Sequence, residues 1–233
     1  MDPTHVSLSR RDAIKTAIGA GAVLLGGPRL LGPAQVDDAL AAGACTLTPE
    51  QEEGPFYVAL NKVRSNIRGT RQGVPLTLRI TIIDSSSCKP VKGAAVDLWH
   101  ADAAGHYSDE SSEDTVGQTW LRGVQLTNAS GLATFRTIYP GFYSGRTTHI
   151  HVKVHTGGHV SHTGQIFFPE ALSTKVYRTA EYLKDTNERT LRKNDHVYTG
   201  QHGSQAIMRV TGGSVGQGVR GAITLAVDPS ASR

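Results

Sequence analysis

The chain has 233 residues and a formal net charge of +4, from 24 Lys and Arg against 20 Asp and Glu. The basic residues are dispersed and are not interleaved with aromatic side chains, which argues against nucleic-acid binding. Glycine is abundant, and Val, Ile and Thr cluster in short runs between Gly, Ser, Asn and Pro. This composition is typical of a β-sandwich or β-barrel domain.

The first 44 residues have the features of an export signal. Arg10 and Arg11 precede an apolar, small-residue run at 16–27, which is shorter than the ~20 residues that span a membrane. Small-x-small cleavage sequences follow at 39–41 and 42–44. The segment resembles a twin-arginine signal, although an amphipathic or uncleaved anchor remains an alternative. We predict a signal or propeptide region at 1–44, a domain at 45–233, secretion, and no stable membrane insertion after signal removal.

The chain has two cysteines, Cys45 and Cys88. In an oxidising compartment two thiols most simply pair, so export predicts a disulfide between them, with two free thiols as the alternative. Two cysteines do not form a thiolate metal site.

The region after the signal alternates between short strands and turns. Residues 48–57 form a polar segment that turns at Gly54-Pro55 and is predicted to be an ordered arm carrying Phe56 and Tyr57. Residues 169–183 predict one or two short helices. Strands are predicted at 74–84, 94–100, 120–127, 131–138, 164–168, 206–210 and 221–227, with a further strand that begins at His149. The predicted fold is an all-β sandwich with short helices in long connecting loops.

The segment 139–153 concentrates residues capable of metal chemistry. Tyr143 and Arg146 lie in a loop, and His149 and His151 open the strand that follows. Residues two apart on a strand share a face and lie about 7 Å apart, so the two imidazoles can converge on one point. A His-x-His pair by itself is a weak signal.

Tyr107, in the loop sequence Gly105-His106-Tyr107, makes the signal more specific. A free phenol titrates near pH ~10, but a bound cation can deprotonate it. Two tyrosinates with two imidazoles form a hard, anionic donor set. Such a set favours Fe(III) over Fe(II) and over zinc, which prefers His, Cys and carboxylate ligands.

Other interpretations of these residues remain open at this point. His151, His155 and His159 have the i, i+4 spacing of a helical zinc site. Their sequence context favours strand and turn, and no glutamate stands between them to act as a general base. The tyrosines could also be ordinary sandwich residues, and the histidines could face solvent.

Several short motifs, taken in order, resemble the intradiol ring-cleavage dioxygenases, which are non-haem Fe(III) enzymes. The resemblance extends over about residues 45–228. It rests on Glu53-Gly-Pro-Phe-Tyr57, Asp97-Leu-Trp-His-Ala-Asp102, Gly105-His-Tyr107, Tyr139-Pro-Gly-Phe-Tyr143, Arg146-x-x-His-Ile-His151 and Gln165.

The resemblance implies Tyr107, Tyr143, His149 and His151 as the iron ligands, with a solvent hydroxide in the fifth position. It also implies that a catechol-type diol reacts with O2 to give a muconate-type diacid.

The resemblance further implies roles for residues around the metal. Tyr143 would leave the metal and accept a proton, and Arg146 would stabilise negative charge on the substrate ring. Gln165 would line the same pocket, and Tyr57 and Trp99 would line the substrate side. The implied partners are a small aromatic diol and O2; homo-oligomer formation stays open.

The sequence departs from the family pattern at one loop. Only five residues separate Tyr143 from His149, fewer than in protocatechuate and catechol enzymes, which predicts a more open site and leaves the substrate undetermined. The helical N-terminal dimerisation segment of catechol-type enzymes is also missing, as expected for a compact exported subgroup. A non-catalytic transthyretin-like binding module is the alternative, because residues 90–98 and 128–134 resemble its hairpin and turn.

Overall fold

The structure, a computed structural model, describes residues 45–183 and 187–231. The predicted signal at 1–44, and with it the proposed domain boundary, lies outside the described residues. The strands are β1 (Pro75–Asp84), β2 (Ala95–Trp99), β3 (Arg122–Leu126), β4 (Leu132–Ile138), β5 (His149–Thr156), β6 (His159–Phe167), β7 (Arg209–Ser214) and β8 (Gly218–Val227). The helices are α1 (Glu170–Val176) and α2 (His196–Gly200), with 3-10 turns at Ser111–Glu113, Arg192–Asn194 and Gly203–Ala206.

The eight strands form two four-stranded sheets. The first sheet has the order β4-β1-β8-β7 and the second the order β3-β2-β5-β6. All pairs are antiparallel except β1 and β8, which run parallel. The predicted all-β sandwich with few short helices is therefore confirmed.

The core lies between the sheets and follows from the period-2 alternation of each strand. In β1, Leu78 and Ile80 are fully buried whereas Arg79 between them is exposed. In β5, Ile150 and Val152 point into the same core. Each such side chain contributes roughly 1.5–3 kcal/mol when fully buried.

Strand β5 differs from β1 because both of its faces are buried. Its burial is nearly continuous from His149 to Val154, so the outer face of the second sheet is covered. The cover is the N-terminal arm: Gln51 N donates to Thr163 O of β6 (3.1 Å), a Cβ on Gly54 would lie 3.2 Å from His151 Cε1, and Lys153 Nζ lies 3.7 Å from the centroid of the Tyr57 ring. This covered outer face is where the candidate site lies.

A disulfide joins Cys45 to Cys88 and ties the start of the arm to the turn after β1. The two cysteines are 43 residues apart in sequence. Closing a loop of that size stabilises the folded state by about 4 kcal/mol in the chain-entropy model.

The structure corrects several predicted boundaries. Strand β6 begins at His159, five residues before the predicted start, because Gly157 and Gly158 both have positive φ and form a two-residue hairpin turn. The last short strand is shifted to Arg209–Ser214, since Gly203–Ala206 forms a 3-10 turn. Helix α2 was not predicted. Within 45–183 and 187–231, no helix is long and apolar enough to cross a membrane.

Candidate metal centre

The four predicted ligands converge on the outer face of the second sheet. His149 and His151 project from β5, Tyr143 from the turn before it, and Tyr107 from the loop after β2. The Nε2 atoms of the two histidines are 3.1 Å apart, and Tyr143 Oη lies 3.2 Å from His149 Nε2. The Tyr107 ring centroid lies 5.8 Å from that of Tyr143 and 6.2 Å from that of His151.

The tautomer of His149 is fixed by its own strand. His149 Nδ1 lies 2.6 Å from the carbonyl oxygen of Thr147, and a carbonyl can only accept a hydrogen bond. Nδ1 therefore carries the proton, and the lone pair of Nε2 points toward His151 and Tyr143. This arrangement is the usual outer-shell support of a metal-binding histidine.

Burial keeps both imidazoles neutral. It is the main cause that lowers the pKa of His149, and the nearby positive charge of Arg146 lowers it further. The pKa of His151 is lowered well below its ordinary value by burial and then by His149. Neutral imidazoles are the form that binds metals, so neither histidine requires deprotonation at neutral pH.

The two phenols differ in accessibility. Tyr107 is 1% exposed, and its Oη makes no well-formed hydrogen bond among the described residues, although the Tyr143 phenol is close enough to raise its pKa. Tyr143 is only partly buried. Burial is the largest cause that raises the pKa of both phenols. Each phenol is therefore neutral unless a cation draws off its proton.

The position of Tyr107 is determined by contacts to its backbone. Its N–H donates to a carboxylate oxygen of Glu113 (2.6 Å), and its carbonyl accepts from Thr115 Oγ1 (2.7 Å). Its ring stacks on Phe56 of the arm, with centroids 4.2 Å apart. Gly105, two residues earlier, has φ +87°, and a Cβ there would collide with the carbonyl of Phe142.

Arg122 links the Tyr107 loop to the arm. This buried side chain donates to the carbonyls of Ser108 and Phe56, each at 2.6 Å, and its Nε donates to Ser108 Oγ (2.8 Å). Its positive charge also lowers the pKa of Tyr107, against the larger effect of burial. Arg122 thus positions one phenol and favours its ionised form.

A second buried arginine lies beside the ligands. Arg146 Nε donates to Asp195 Oδ2 (3.1 Å), and its Nη2 donates to the amide oxygen of Gln165. Asp195 is completely buried; its Oδ2 also accepts from Thr147 N (2.7 Å). Gln165 Nε2 donates to the carbonyl of Glu52 in the arm (2.9 Å). Arg146 is therefore held in one orientation next to His149.

Trp99 and Tyr57 pack behind His151. The Trp99 ring stacks on the His151 ring, with centroids 4.9 Å apart and planes 7° apart. The ring of Tyr57 also contacts Trp99, with centroids 4.8 Å apart. Trp99 is 1% exposed, whereas Tyr57 is partly buried. Gly54, with φ +71°, brings the arm close, since a Cβ there would lie 3.2 Å from His151 Cε1. A substrate-lining role for Tyr57 and Trp99 stays a prediction.

The helical zinc site of the alternative interpretation does not form. His151 and His155 lie on strand β5, and His159 begins β6 across the hairpin turn. Within the part of the chain that the structure describes, no three His, Cys, Asp or Glu side chains group to hold a metal.

The donor set fits a hard, trivalent cation. His149 Nε2 lies within hydrogen-bonding distance of both His151 Nε2 and Tyr143 Oη, and the buried Tyr107 oxygen makes no well-formed hydrogen bond among the described residues. An unpartnered buried hydroxyl costs about 1–3 kcal/mol, which a bound cation would offset. Phenolate oxygens and imidazole nitrogens suit iron in its ferric state.

Sequence reasoning missed Asp195, Arg122 and Glu113. Asp195 carried a usable signal, because it is the N-cap of α2 and accepts from Val197 N (2.8 Å) and Tyr198 N (3.1 Å). An Asp before a short helical segment is a standard start signal. Nothing in the local sequence indicates that Arg122 or Glu113 contacts the Tyr107 loop.

A protein-family model described as Dioxygenase matches residues 52–206, which include the four candidate ligands and Arg146. The chain belongs to the intradiol ring-cleavage dioxygenase family. Solved structures of this family share the fold. An intradiol ring-cleavage dioxygenase from Tetranychus urticae is 35% identical, with a TM-score of 0.78, and the match covers 81% of this chain and 98% of that one.

Two further relatives show how far the similarity extends. The dioxygenase domain of a dioxygenase carbohydrate-binding protein fusion from Streptomyces sp. SirexAA-E is 31% identical, with a TM-score of 0.60, over 78% of this chain and 98% of that one. Catechol 1,2-dioxygenase of Acinetobacter baylyi is 29% identical over 66% of this chain. The chain spans 60% of the length of that curated relative.

Proposed function

We propose that this intradiol family member is an Fe(III)-dependent dioxygenase that opens a catechol-type ring with O2 to a muconate-type diacid. The observation that carries the proposal is the convergence of two phenols and two neutral imidazoles, with His149 Nε2 within 3.2 Å of both His151 Nε2 and Tyr143 Oη. Relatives named as catechol 1,2-dioxygenases support the substrate class.

Tyr107, Tyr143, His149 and His151 would hold the iron. Bound Fe(III) would supply Lewis acidity and a template that brings the diol and dioxygen together. The two histidines contribute lone pairs without releasing protons, because burial already keeps them neutral. Tyr107 and Tyr143 each release a proton when the metal binds.

Tyr143 is the phenol suited to proton transfer. It is partly exposed, whereas Tyr107 is buried and its backbone is fixed by Glu113 and Thr115. Tyr143 Oη can therefore accept a proton from a substrate hydroxyl and return it to solvent, whereas Tyr107 keeps its place. This asymmetry supports Tyr143 as the base and Tyr107 as the ligand that stays bound.

Arg146 is the fixed positive charge of the site. Gln165 and Asp195 hold its guanidinium in place, so little reorganisation is needed when negative charge develops on the substrate ring. Glu52, whose carboxylate lies 3.9 Å from Arg146 Nη1, is exposed at the same edge. A substrate with its own carboxylate would be repelled there, so we propose uncharged catechols as the preferred substrates.

The purified, iron-loaded protein is expected to be reddish and to contain about one iron per chain. Tyrosinate bound to Fe(III) absorbs visible light, and catechol should shift that absorption. Oxygen uptake should accompany formation of a ring-opened diacid, identified by mass spectrometry. A colourless protein that takes up no iron on reconstitution would instead favour the transthyretin-like binding module.

We also propose that residues 1–44 direct twin-arginine export and that the mature protein is secreted. The Cys45–Cys88 disulfide supports this proposal, because such bonds persist in oxidising compartments. Replacing both arginines, Arg10→Lys with Arg11→Lys, is expected to retain the protein in the cytoplasm, as measured by cell fractionation. The matched variant Arg29→Lys should be exported normally. Export of the double variant at the parental level would refute the signal assignment.

A further inference from the structure

The outer face of the first sheet carries four exposed arginines. Arg79 projects from β1, Arg136 from β4, Arg209 from β7 and Arg220 from β8. Arg79, Arg136 and Arg220 alternate along their strands with buried residues, so they point away from the sandwich. Arg209 lies on the same face, because it and Arg79 both pair with Ala222 of β8. This arginine face lies on the opposite side of the domain from the candidate metal centre.

The strand register spaces the four arginines regularly. Arg136 and Arg220 both pair with Thr77, from either side of β1. Arg79 and Arg209 both pair with Ala222, from either side of β8. The backbones of each pair are therefore about 10 Å apart, and the two rows are about 7 Å apart. The result is a flat array of positive charge.

No negative charge from the four strands balances this array. Their only acidic residue is Asp84 at the end of β1, where Ser86 and Ser87 bind its carboxylate. None of the four arginines forms an ion pair or a side-chain hydrogen bond within residues 45–183 and 187–231. Four exposed guanidiniums without counter-charges repel one another, which favours binding of a polyanion.

Part of the arginine face is a groove of about 710 Å³. Arg79 and Arg209 line it together with three threonines, Thr81, Thr211 and Thr224. The guanidinium fork pairs with a carboxylate through two parallel hydrogen bonds. The threonine hydroxyls can donate to or accept from the hydroxyl groups of a sugar.

We propose that the arginine face binds an acidic, carboxylate-bearing polysaccharide. Binding to nucleic acid is disfavoured because the only aromatic residue of the four strands, Phe135, is fully buried and cannot stack on a base. Because the two outer faces are opposite, a bound polymer would leave the metal centre open. The surface would thus hold the protein on an anionic polymer without blocking its site.

The test is equilibrium binding of the full chain to immobilised polygalacturonate, with neutral dextran as the comparison polymer. We expect binding to polygalacturonate, weakened by salt, and none to dextran. The double variant Arg79→Gln with Arg209→Gln should bind at least about tenfold more weakly. The variant Lys92→Gln with Arg178→Gln removes the same charge from exposed positions elsewhere and should bind as the parent does.

Three results would overturn the proposal. The first is parental affinity in the Arg79 and Arg209 variant, and the second is an equal loss in the Lys92 and Arg178 variant. The third is tighter binding to double-stranded DNA or to anionic lipid vesicles than to polygalacturonate. Oxygen uptake with soluble catechol should be the same in both variants, so a failed binding test is distinguishable from a failure of the proposed activity.

Discussion

Replacing His149 by alanine is expected to abolish stoichiometric iron binding and to lower oxygen uptake with catechol by about a thousandfold or more. His149 Nε2 lies within 3.2 Å of both Tyr143 Oη and His151 Nε2, so its removal opens the middle of the donor set. A thousandfold corresponds to about 4 kcal/mol of transition-state stabilisation, which is in the range attributed to metal-ion catalysis. Iron content and visible absorption are measured alongside the rate.

His155→Ala provides a matched control on the same strand. His155 shares the outer face of β5 with His149 and His151, but it lies beyond Lys153 and is only partly buried. This variant should retain iron, colour and activity. Full oxygen uptake and normal iron content in His149→Ala would show that the ligand assignment is wrong.

Replacing Asp195 by alanine is expected to lower the free energy of unfolding by about 3–5 kcal/mol. The Asp195 carboxylate is completely buried and accepts four hydrogen bonds, from Arg146 Nε and from the N–H groups of Thr147, Val197 and Tyr198. Alanine would leave the buried Arg146 charge without this partner and would remove the N-cap of α2, so two losses add. Urea unfolding at neutral pH measures the effect.

Two further variants separate the causes of that loss. Asp195→Asn keeps the size of the side chain and one acceptor oxygen, so its cost should be smaller, about 2 kcal/mol. Asp228→Ala removes a partly exposed Asp that also accepts from a backbone N–H, that of Ser230, and should stay within about 0.5 kcal/mol of the parent. If Asp195→Ala unfolded as the parent does, the carboxylate could not be the structural anchor of Arg146.

Asp195 also connects the stability of the fold to the chemistry of the site. It binds the N–H of Thr147, and the carbonyl of Thr147 accepts from His149 Nδ1. One buried carboxylate therefore orients both the candidate stabilising cation and the backbone that fixes a ligand tautomer. Such supporting contacts keep functional groups within the narrow geometry that metal chemistry requires.

The arm at 48–57 has a comparable role on the other side of the ligands. Phe56 stacks on Tyr107, its carbonyl accepts from Arg122, and Gly54 passes close to His151. Without the arm, the outer face of the second sheet would expose its imidazoles and phenols to water. The covered face lowers the local dielectric and strengthens every charge interaction at the site.

The amino-acid sequence by itself determined the strands and the ligand pair on β5. Side chains along a strand alternate between its two faces with a period of two residues. The local sequence is therefore enough to predict the inward faces of β1 and β5 and to place His149 and His151 on one face. The likeness of the Tyr107 and Tyr143 motifs to a known family supplied the phenols. The predicted element boundaries were wrong where the local sequence pattern was weak. This was the case at the glycine-rich strand β7 and at the short helix α2, which was not predicted.

Only the tertiary structure decided what surrounds those residues. The contacts of Asp195 with Arg146, and of Arg122 with Phe56 and Ser108, join positions 14 to 66 residues apart. The arginine face likewise depends on which strands are neighbours and on their register. A local pattern tells which way a side chain points from its own strand. The side chains that it contacts depend on how distant segments pack, because the packing is determined by burial and hydrogen bonding across the whole domain.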